Sequence, residues 1–252
     1  MFSWLTPIRF PIIVAHRGSS RHAPENTLAA FRQAMDDGAD AIELDVHLSK
    51  DGQVIVIHDD RLERTTNGHG RVGDYTLDEL RQFSSGEWFH KKFFSEKIPT
   101  LTEVFELVTG QIGINIEIKY TKRRTEPKLI VERCIEIISR FKAFKSVLIS
   151  SFHYPLLQLA KRIDPSIVSG LLYHPVRHFR KSPIKLAKAA RAQYLLLATS
   201  TIRKKIVTDA HDRNLLVGVY TVNSVRNLRR VRTAGVDSIY TDTPSTILKY
   251  LR

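Results

Sequence analysis

Residues 41–60, AIELDVHLSKDGQVIVIHDD, place two apolar, β-branched runs on either side of Ser49, Lys50, Asp51 and Gly52. That four-residue signal between such runs reads as strand, tight turn, strand. In the first run Glu43 and Asp45 stand two apart, and a strand sends residues i and i+2 to the same face. Two carboxylates therefore project together from an otherwise apolar element. Burying like charges side by side is costly unless a cation sits between them. Either this is a metal site, or Glu43 and Asp45 lie on a solvated edge strand and His58 merely ends a hairpin. The rest of the chain weighs between the two.

On both sides of that stretch, apolar strand runs alternate with amphipathic helical patterns. Strand runs start at Ile12, Ala41, Ile112, Val147, Ser169, Tyr194, Leu216 and Ser238, with residues 53–57 as an extra piece on the second. Helical spacing follows at Leu28, Phe31, Ala34 and Met35, again at Ile130, Cys134, Ile137 and Ile138, and in each later interval; Gly235 stops the last of these helices. Strands alternating with helices imply parallel βαβ units, and eight of them in roughly 250 residues is the size of a closed (β/α)8 TIM barrel. An open doubly wound sheet is the competitor, but no glycine-rich phosphate loop follows the first strand. The fold class is thus α/β, one barrel domain over residues 1–252, with a small insertion after the second strand. That insertion, residues 61–100, carries two capping boxes, Thr76 with Glu79 and Thr100 with Glu103, and the aromatics Trp88, Phe89, Phe93 and Phe94. These aromatics either roof a site or pack the insertion, and packing is the expectation.

Composition narrows the function classes. The 252 residues are 42% hydrophobic and 26% charged, as in ordinary globular domains. The single cysteine, Cys134, excludes an internal disulfide, fits a reducing compartment and falls in a helical apolar pattern. The N-terminus lacks the pattern of a signal peptide and no apolar run reaches the ~18 residues of a membrane helix, so the cytoplasm is expected, without stable membrane insertion. Residues 1–100 carry 12 Lys and Arg against 15 Asp and Glu, whereas residues 101–252 carry 27 against 11. The basic residues are spread over segments 122–128, 177–191, 203–205 and 226–232, which read as solvated outer helix faces. A nucleic-acid role rests on this charge alone and is not expected.

A barrel gathers its chemistry at the C-terminal ends of its strands. Those ends supply His16 and Arg17, Glu43 with Asp45, His58, Glu117 with Lys119, Ser151 and Phe152, Tyr220 with Asn223, and Asp242. Three carboxylates can hold one hard cation through oxygen, as Ca²⁺ or Mg²⁺ prefers, and the set does not favour zinc. Arg17 and Lys119 add fixed positive charge suited to a phosphate. His16 and His58 titrate near neutrality, so one can take a proton while the other gives one.

With these residues the chain resembles the glycerophosphodiester phosphodiesterase family. The motifs are His16-Arg17-Gly18, Pro24-Glu25-Asn26-Thr27, Glu43-Leu44-Asp45-Val46, His58-Asp59, Glu117-Ile118-Lys119, Ser151-Phe152, Thr221-Val222-Asn223 and Thr241-Asp242-Thr243-Pro244. The resemblance implies that Glu43, Asp45 and Glu117 bind one divalent cation, that His16 and His58 are the acid/base pair, and that Arg17 and Lys119 contact the phosphate. It implies hydrolysis of a small-molecule glycerophosphodiester to sn-glycerol 3-phosphate and an alcohol. Phe152 and Tyr220 would line the substrate site; the family often has Trp at the latter position, so the alcohol pocket differs in shape. Glu25 and Asn26 are expected to brace the first loop. Lysophospholipase D-type activity and a non-catalytic phosphate-binding barrel are the rival readings, and a homodimer stays open.

Overall fold

The computed structural model describes residues 2–7, 10–120 and 127–251. Eight parallel strands close into a barrel, each followed on the outside by helix. They are β1 (Ile12–His16), β2 (Ala41–Leu48), β4 (Gly113–Ile118), β5 (Val147–Ser151), β6 (Val168–Tyr173), β7 (Tyr194–Ala198), β8 (Leu216–Tyr220) and β9 (Ser238–Thr241). Closure runs through β1, which pairs with β9 on one side and β2 on the other. The ninth strand, β3 (Val54–Val56), pairs antiparallel with the upper half of β2, Val46 opposite Val56. It takes the edge of β2 that β1 vacates after His16 lies opposite Glu43. The hairpin reading of residues 41–60 is thereby borne out, and Ile57 N donates to Asp45 O (3.0 Å), which returns the chain to the mouth at His58.

Alternation sorts each strand between two layers. In β1, Ile13 and Ala15 join the layer under the helices, whereas Ile12 and Val14 fill the barrel interior with Leu148, Tyr194 and Leu196. Ile42, Leu44 and Val46 of β2, and Ile114, Ile116 and Ile118 of β4, also face the helices. The intervening residues Glu43, Asp45, Asn115 and Glu117 must therefore point inward. The helices are α1 (Leu28–Asp36), α2 (Leu77–Leu80), α3 (Leu101–Val108), α4 (Pro127–Arg140), α5 (Tyr154–Ile163), α6 (Pro183–Ala189), α7 (Lys204–His211), α8 (Val225–Ala234) and α9 (Pro244–Leu251). Both capping boxes form, at α2 and α3, and Gly235 ends α8 in the left-handed region at φ 80°. Cys134 is buried on α4, where burial pushes its thiol up and leaves it inert.

Several expectations need correction. The aromatics of the insertion do not form its core, which is Ile55, Ile57, Leu62, Val72, Leu80 and Ile98. Trp88, Phe89 and Phe93 stack edge-on with one another near the surface, with Trp88 41% and Phe94 56% exposed. The helix expected from Pro183 forms, capped by Ser182, but Arg177 of the basic segment 177–191 lies on the preceding loop and not on a helix face. Part of the basic segment 122–128 lies outside the described residues. The terminal helix α9 escaped the sequence reading, because Pro244 and only eight residues gave too short a period.

The lower end of the barrel is closed by the N-terminal segment, which sequence gave no reason to place there. Trp4 is fully buried, and its Nε1 is shared between Ile114 O (3.2 Å) and Ser146 O (3.0 Å). Tyr194 donates its hydroxyl to Trp4 O (2.6 Å), and the two rings meet edge-on. Truncating so large a buried ring leaves a cavity that backbone-paired strands cannot collapse into. Trp4→Ala is expected to lose about 3–5 kcal/mol of stability, measured by urea unfolding; a loss below about 1 kcal/mol would show that the plug is dispensable.

Candidate active site

Strand register assembles the site. Asp45 lies opposite Glu117 across β2 and β4, and His16 lies opposite Glu43 across β1 and β2. Facing residues of adjacent parallel strands point the same way, so residues far apart in sequence converge at the upper end of the interior. Carboxylate oxygens of Glu43, Asp45 and Glu117 lie within 4.8 Å of one another, and all three side chains are buried. A solvated edge strand is thus excluded for Glu43 and Asp45.

Two cations balance the cluster. Lys119 Nζ sits 2.7 Å from Asp45 Oδ1 and 2.6 Å from Glu117 Oε1. Arg17 donates its backbone N–H to Glu43 Oε2 (2.9 Å), and its guanidinium reaches Asp45 (3.4 Å) and Glu25 (2.9 Å). The carboxylates respond in opposite directions. Burial opposes the charge on Asp45, but Lys119 and Arg17 hold its pKa far below the ordinary value. Glu43 is pushed up, by burial first and by Asp45 second. Arg17 reaches this position through a left-handed backbone at φ 58°, and Gly18 follows at φ 81° with Ala30 backbone 2.7 Å from where a Cβ would stand. Only glycine fits that close approach of the first loop to α1.

Each histidine has its Nδ1 on a carboxylate. His16 Nδ1 is 2.7 Å from Asp242 Oδ1, and His58 Nδ1 is 2.5 Å from Asp59 Oδ1. A carboxylate only accepts, so Nδ1 carries the proton and Nε2 is left for chemistry. The two rings are shifted apart. Burial disfavours the cation at His16, yet the hydrogen bond to Asp242 and the charge of Glu43 raise its pKa above 6.5. Burial lowers His58 below 6.5, and Asp45 and Asp59 only partly offset it against Lys119 and Arg17. Asp59 itself is held down to about 2: burial resists, but the hydrogen bonds from Arg64 and His58 prevail.

A ring of further side chains fixes these groups. Asn26 donates to Asp45 Oδ2 (2.8 Å) and accepts from Asp45 N (3.3 Å), so it braces the cluster as well as the loop. Glu25 takes Arg17 on one side and both Nη atoms of Arg64 on the other (2.9 and 2.7 Å), and Arg64 Nε continues to Asp59 (2.6 Å). His47 Nε2 donates to His58 O (3.0 Å), and Asn223 donates to Asp242. Sequence reading missed Arg64 and His47, whose partners are set by tertiary placement.

Beside the cluster opens a cavity of about 920 Å³. His58, Glu117, Lys119 and Phe152 line it, together with Tyr120 and Arg177. Phe152 meets Tyr220 edge-on (6.2 Å), and the Arg177 guanidinium lies over the other part of that pair, 4.8 Å from the Phe152 centroid. Tyr220 does not line the cavity; its hydroxyl donates to Tyr173 O (3.1 Å) and is pushed up by burial and by Glu117. Arg177 is a mouth residue and not part of a solvated helix face. Its only signal was its position just after a barrel strand.

Three buried oxygen donors with no thiol suit a hard divalent cation, and the arrangement of fixed cations and two oriented imidazoles suits an anion undergoing proton transfer. Known proteins resemble the chain along nearly its whole length. Residues 16–246 match the Glycerophosphoryl diester phosphodiesterase family. A glycerophosphodiester phosphodiesterase of Caldanaerobacter subterraneus subsp. tengcongensis is 40% identical over 96% of this chain and 98% of its own length. One from Bacillus altitudinis is 38% identical over 94% and 96%. Among solved structures, an Oleispira antarctica phosphodiesterase in complex with the product sn-glycerol-3-phosphate superposes with TM-score 0.89 at 30% identity, covering 96% of each chain.

The opposed histidine shifts are directly measurable. In metal-free protein followed by NMR of the imidazole rings, His16 is expected to titrate above 6.5 and His58 below it. Asp242→Asn, which replaces the carboxylate that lifts His16 with a neutral amide, should move its midpoint down; Asp59→Asn should lower His58 further. Coincident midpoints in the unaltered protein would contradict this electrostatic account.

Proposed function

The chain belongs to the glycerophosphoryl diester phosphodiesterase family and is a glycerophosphodiester phosphodiesterase; we propose that it releases sn-glycerol 3-phosphate with one divalent cation, Ca²⁺ or Mg²⁺, on Glu43, Asp45 and Glu117 and with His16 and His58 as the proton-transfer pair. The observation that carries this reading is the convergence, at one mouth, of three buried carboxylates, two fixed cations and two histidines held by Nδ1. A cation held by the three carboxylates would supply Lewis acidity at a phosphate oxygen and a template for the glycerol hydroxyls.

The remaining roles belong to the chain's own side chains. Lys119 donates one N–H to Glu117 and pairs by charge with Asp45, which leaves donor capacity for a non-bridging phosphate oxygen. Arg17, anchored by Glu25, adds charge on the other side. With pKa values on opposite sides of 6.5, His16 is cationic and His58 neutral in the interval between them. His16 Nε2 then donates to the leaving alkoxide, and His58 Nε2 accepts the nucleophile's proton. This pairing makes the reactive protonation state the dominant one, not a minor one. Asp59, ionised throughout the working range, and Asp242 hold the rings in place. Phe152, backed by Tyr220 and capped by Arg177, forms the apolar wall of the alcohol side.

Hydrolysis of glycerophosphocholine and glycerophosphoethanolamine, followed by glycerol 3-phosphate release, should stop in EDTA and return with Ca²⁺ or Mg²⁺. Glu43→Ala should lower kcat/KM by about a hundredfold or more; full activity in EDTA or in this variant would refute the metal assignment. The pH profile should be bell-shaped, falling on the acid side as His58 gains a proton and on the alkaline side as His16 loses one. The histidine roles separate by leaving group. On alkyl diesters each His→Ala change should lose about 10²–10⁴-fold. A p-nitrophenyl ester needs no proton on its leaving group, so it should restore His16→Ala far more than His58→Ala; the opposite pattern would exchange the roles.

A further inference from the structure

We propose that the loop between β6 and α6, residues 174–182, docks the barrel mouth onto an anionic lipid surface. Val176 is 79% exposed and Phe179 71% exposed, more than any other large apolar side chain of the described residues. A single exposed apolar residue needs no explanation, but two on one short loop do. Nor do they face outward because the loop is loose. Between them His178 is buried, donating from Nε2 to Phe152 O (2.9 Å) and accepting at Nδ1 from His174 N (3.2 Å). Its ring stacks on Tyr173 (5.3 Å, 16° between planes), and the Tyr173 hydroxyl donates to Lys181 O (3.2 Å). The loop is pinned by its buried residue, His178, and that pinning turns Val176 and Phe179 toward solvent.

The charge around them names the partner. Between Asp164 and Asp209 the sequence carries nine Lys and Arg and not one Asp or Glu. Arg180, Lys181 and Lys185 are exposed beside the apolar pair, and the Arg180 guanidinium lies 5.2 Å from the Phe179 ring centroid. Bulky apolar side chains rimmed by cations, with no anion among them, match the headgroup boundary of an anionic bilayer, where the rings enter and the cations meet phosphate. A single-stranded nucleic acid would use the cations and stack on Phe179, but that stacking and backbone pairing give no role to the still more exposed aliphatic Val176.

The loop also borders the site. Arg177, one residue from Val176, turns the other way, onto Phe152 and into the cavity. Docking this loop therefore sets the mouth at the lipid headgroups, where phosphodiesters still carrying an acyl chain reside. Among the described residues no helix is long and apolar enough to cross a membrane, so the attachment is peripheral.

Co-sedimentation of the full chain with phosphatidylcholine vesicles, with and without phosphatidylglycerol, tests the proposal independently of the catalytic reading. Binding is expected to the phosphatidylglycerol-rich vesicles only, and to weaken with added salt. The double variant Val176→Ser, Phe179→Ser should weaken it by about tenfold or more while hydrolysis of soluble glycerophosphodiesters stays unchanged. Arg180→Gln with Lys181→Gln should weaken it too and flatten the salt dependence. No binding to phosphatidylglycerol vesicles would overturn the proposal. So would binding that the apolar variant leaves intact and that duplex DNA displaces, since that outcome is general attraction to polyanions.

Discussion

Three carboxylates share one buried pocket at the top of the barrel, and their repulsion is the constraint around which the rest is arranged. With all three ionised, the two positive charges of Lys119 and Arg17 would fall one short, and Glu43, pushed up to about 8, meets that shortfall by holding a proton near neutrality. Asp45 receives both cations and stays ionised; Glu43, with a weaker share, is the carboxylate driven up by burial and by its neighbour. A divalent cation would displace that proton and take the balance of these five groups from −1 to +1, which is the charge that a single phosphodiester neutralises. Side-chain attraction alone thus leaves the ionised carboxylates short of balance, and ion and substrate together complete it.

Keeping like charges in place requires rigidity, and the chain supplies it in two directions. Below, parallel pairing locks Asp45 beside Glu117 and Glu43 beside His16, with Trp4 and Tyr194 filling the lower interior. Above, Asn26 bonds both the side chain and the backbone of Asp45, and Glu25, Arg64 and Asp59 form a chain that ends on His58. Arg17 and Asn26 both adopt left-handed backbone at φ 58°, a conformation that non-glycine residues keep only where surrounding contacts hold it. Placement of the ionised groups, then, falls to hydrogen bonds that never touch substrate.

Local periodicity explains what could be read in advance. Alternation in residues 41–60 and 112–119 placed the acids on inward faces because strand geometry has period two whatever surrounds it. The capping boxes at Thr76 and Thr100 are equally local, and both formed. Pairings set by tertiary distance carried no such signal. Arg64 meets Glu25 across 39 positions, and Trp4 reaches Ile114 across 110. Arg177 was grouped with the basic residues of solvated helix faces, but the helix begins at Pro183, capped by Ser182, and Arg177 on the loop before it turns to the mouth.

The place of Arg177 on this loop ties the catalytic mouth to the outer surface. A single loop after β6 has one residue directed inward to the backbone of Phe152, one over the Phe152 ring and two directed at solvent. His178 and Arg177 both contact Phe152, so the loop that carries the exposed pair also buttresses the wall of the alcohol pocket. Barrels of this kind vary their function through such loops while the strands stay fixed. Here the same nine residues would decide which alcohol is accommodated and where the enzyme meets it, so the two properties cannot be altered separately by changes that unseat His178.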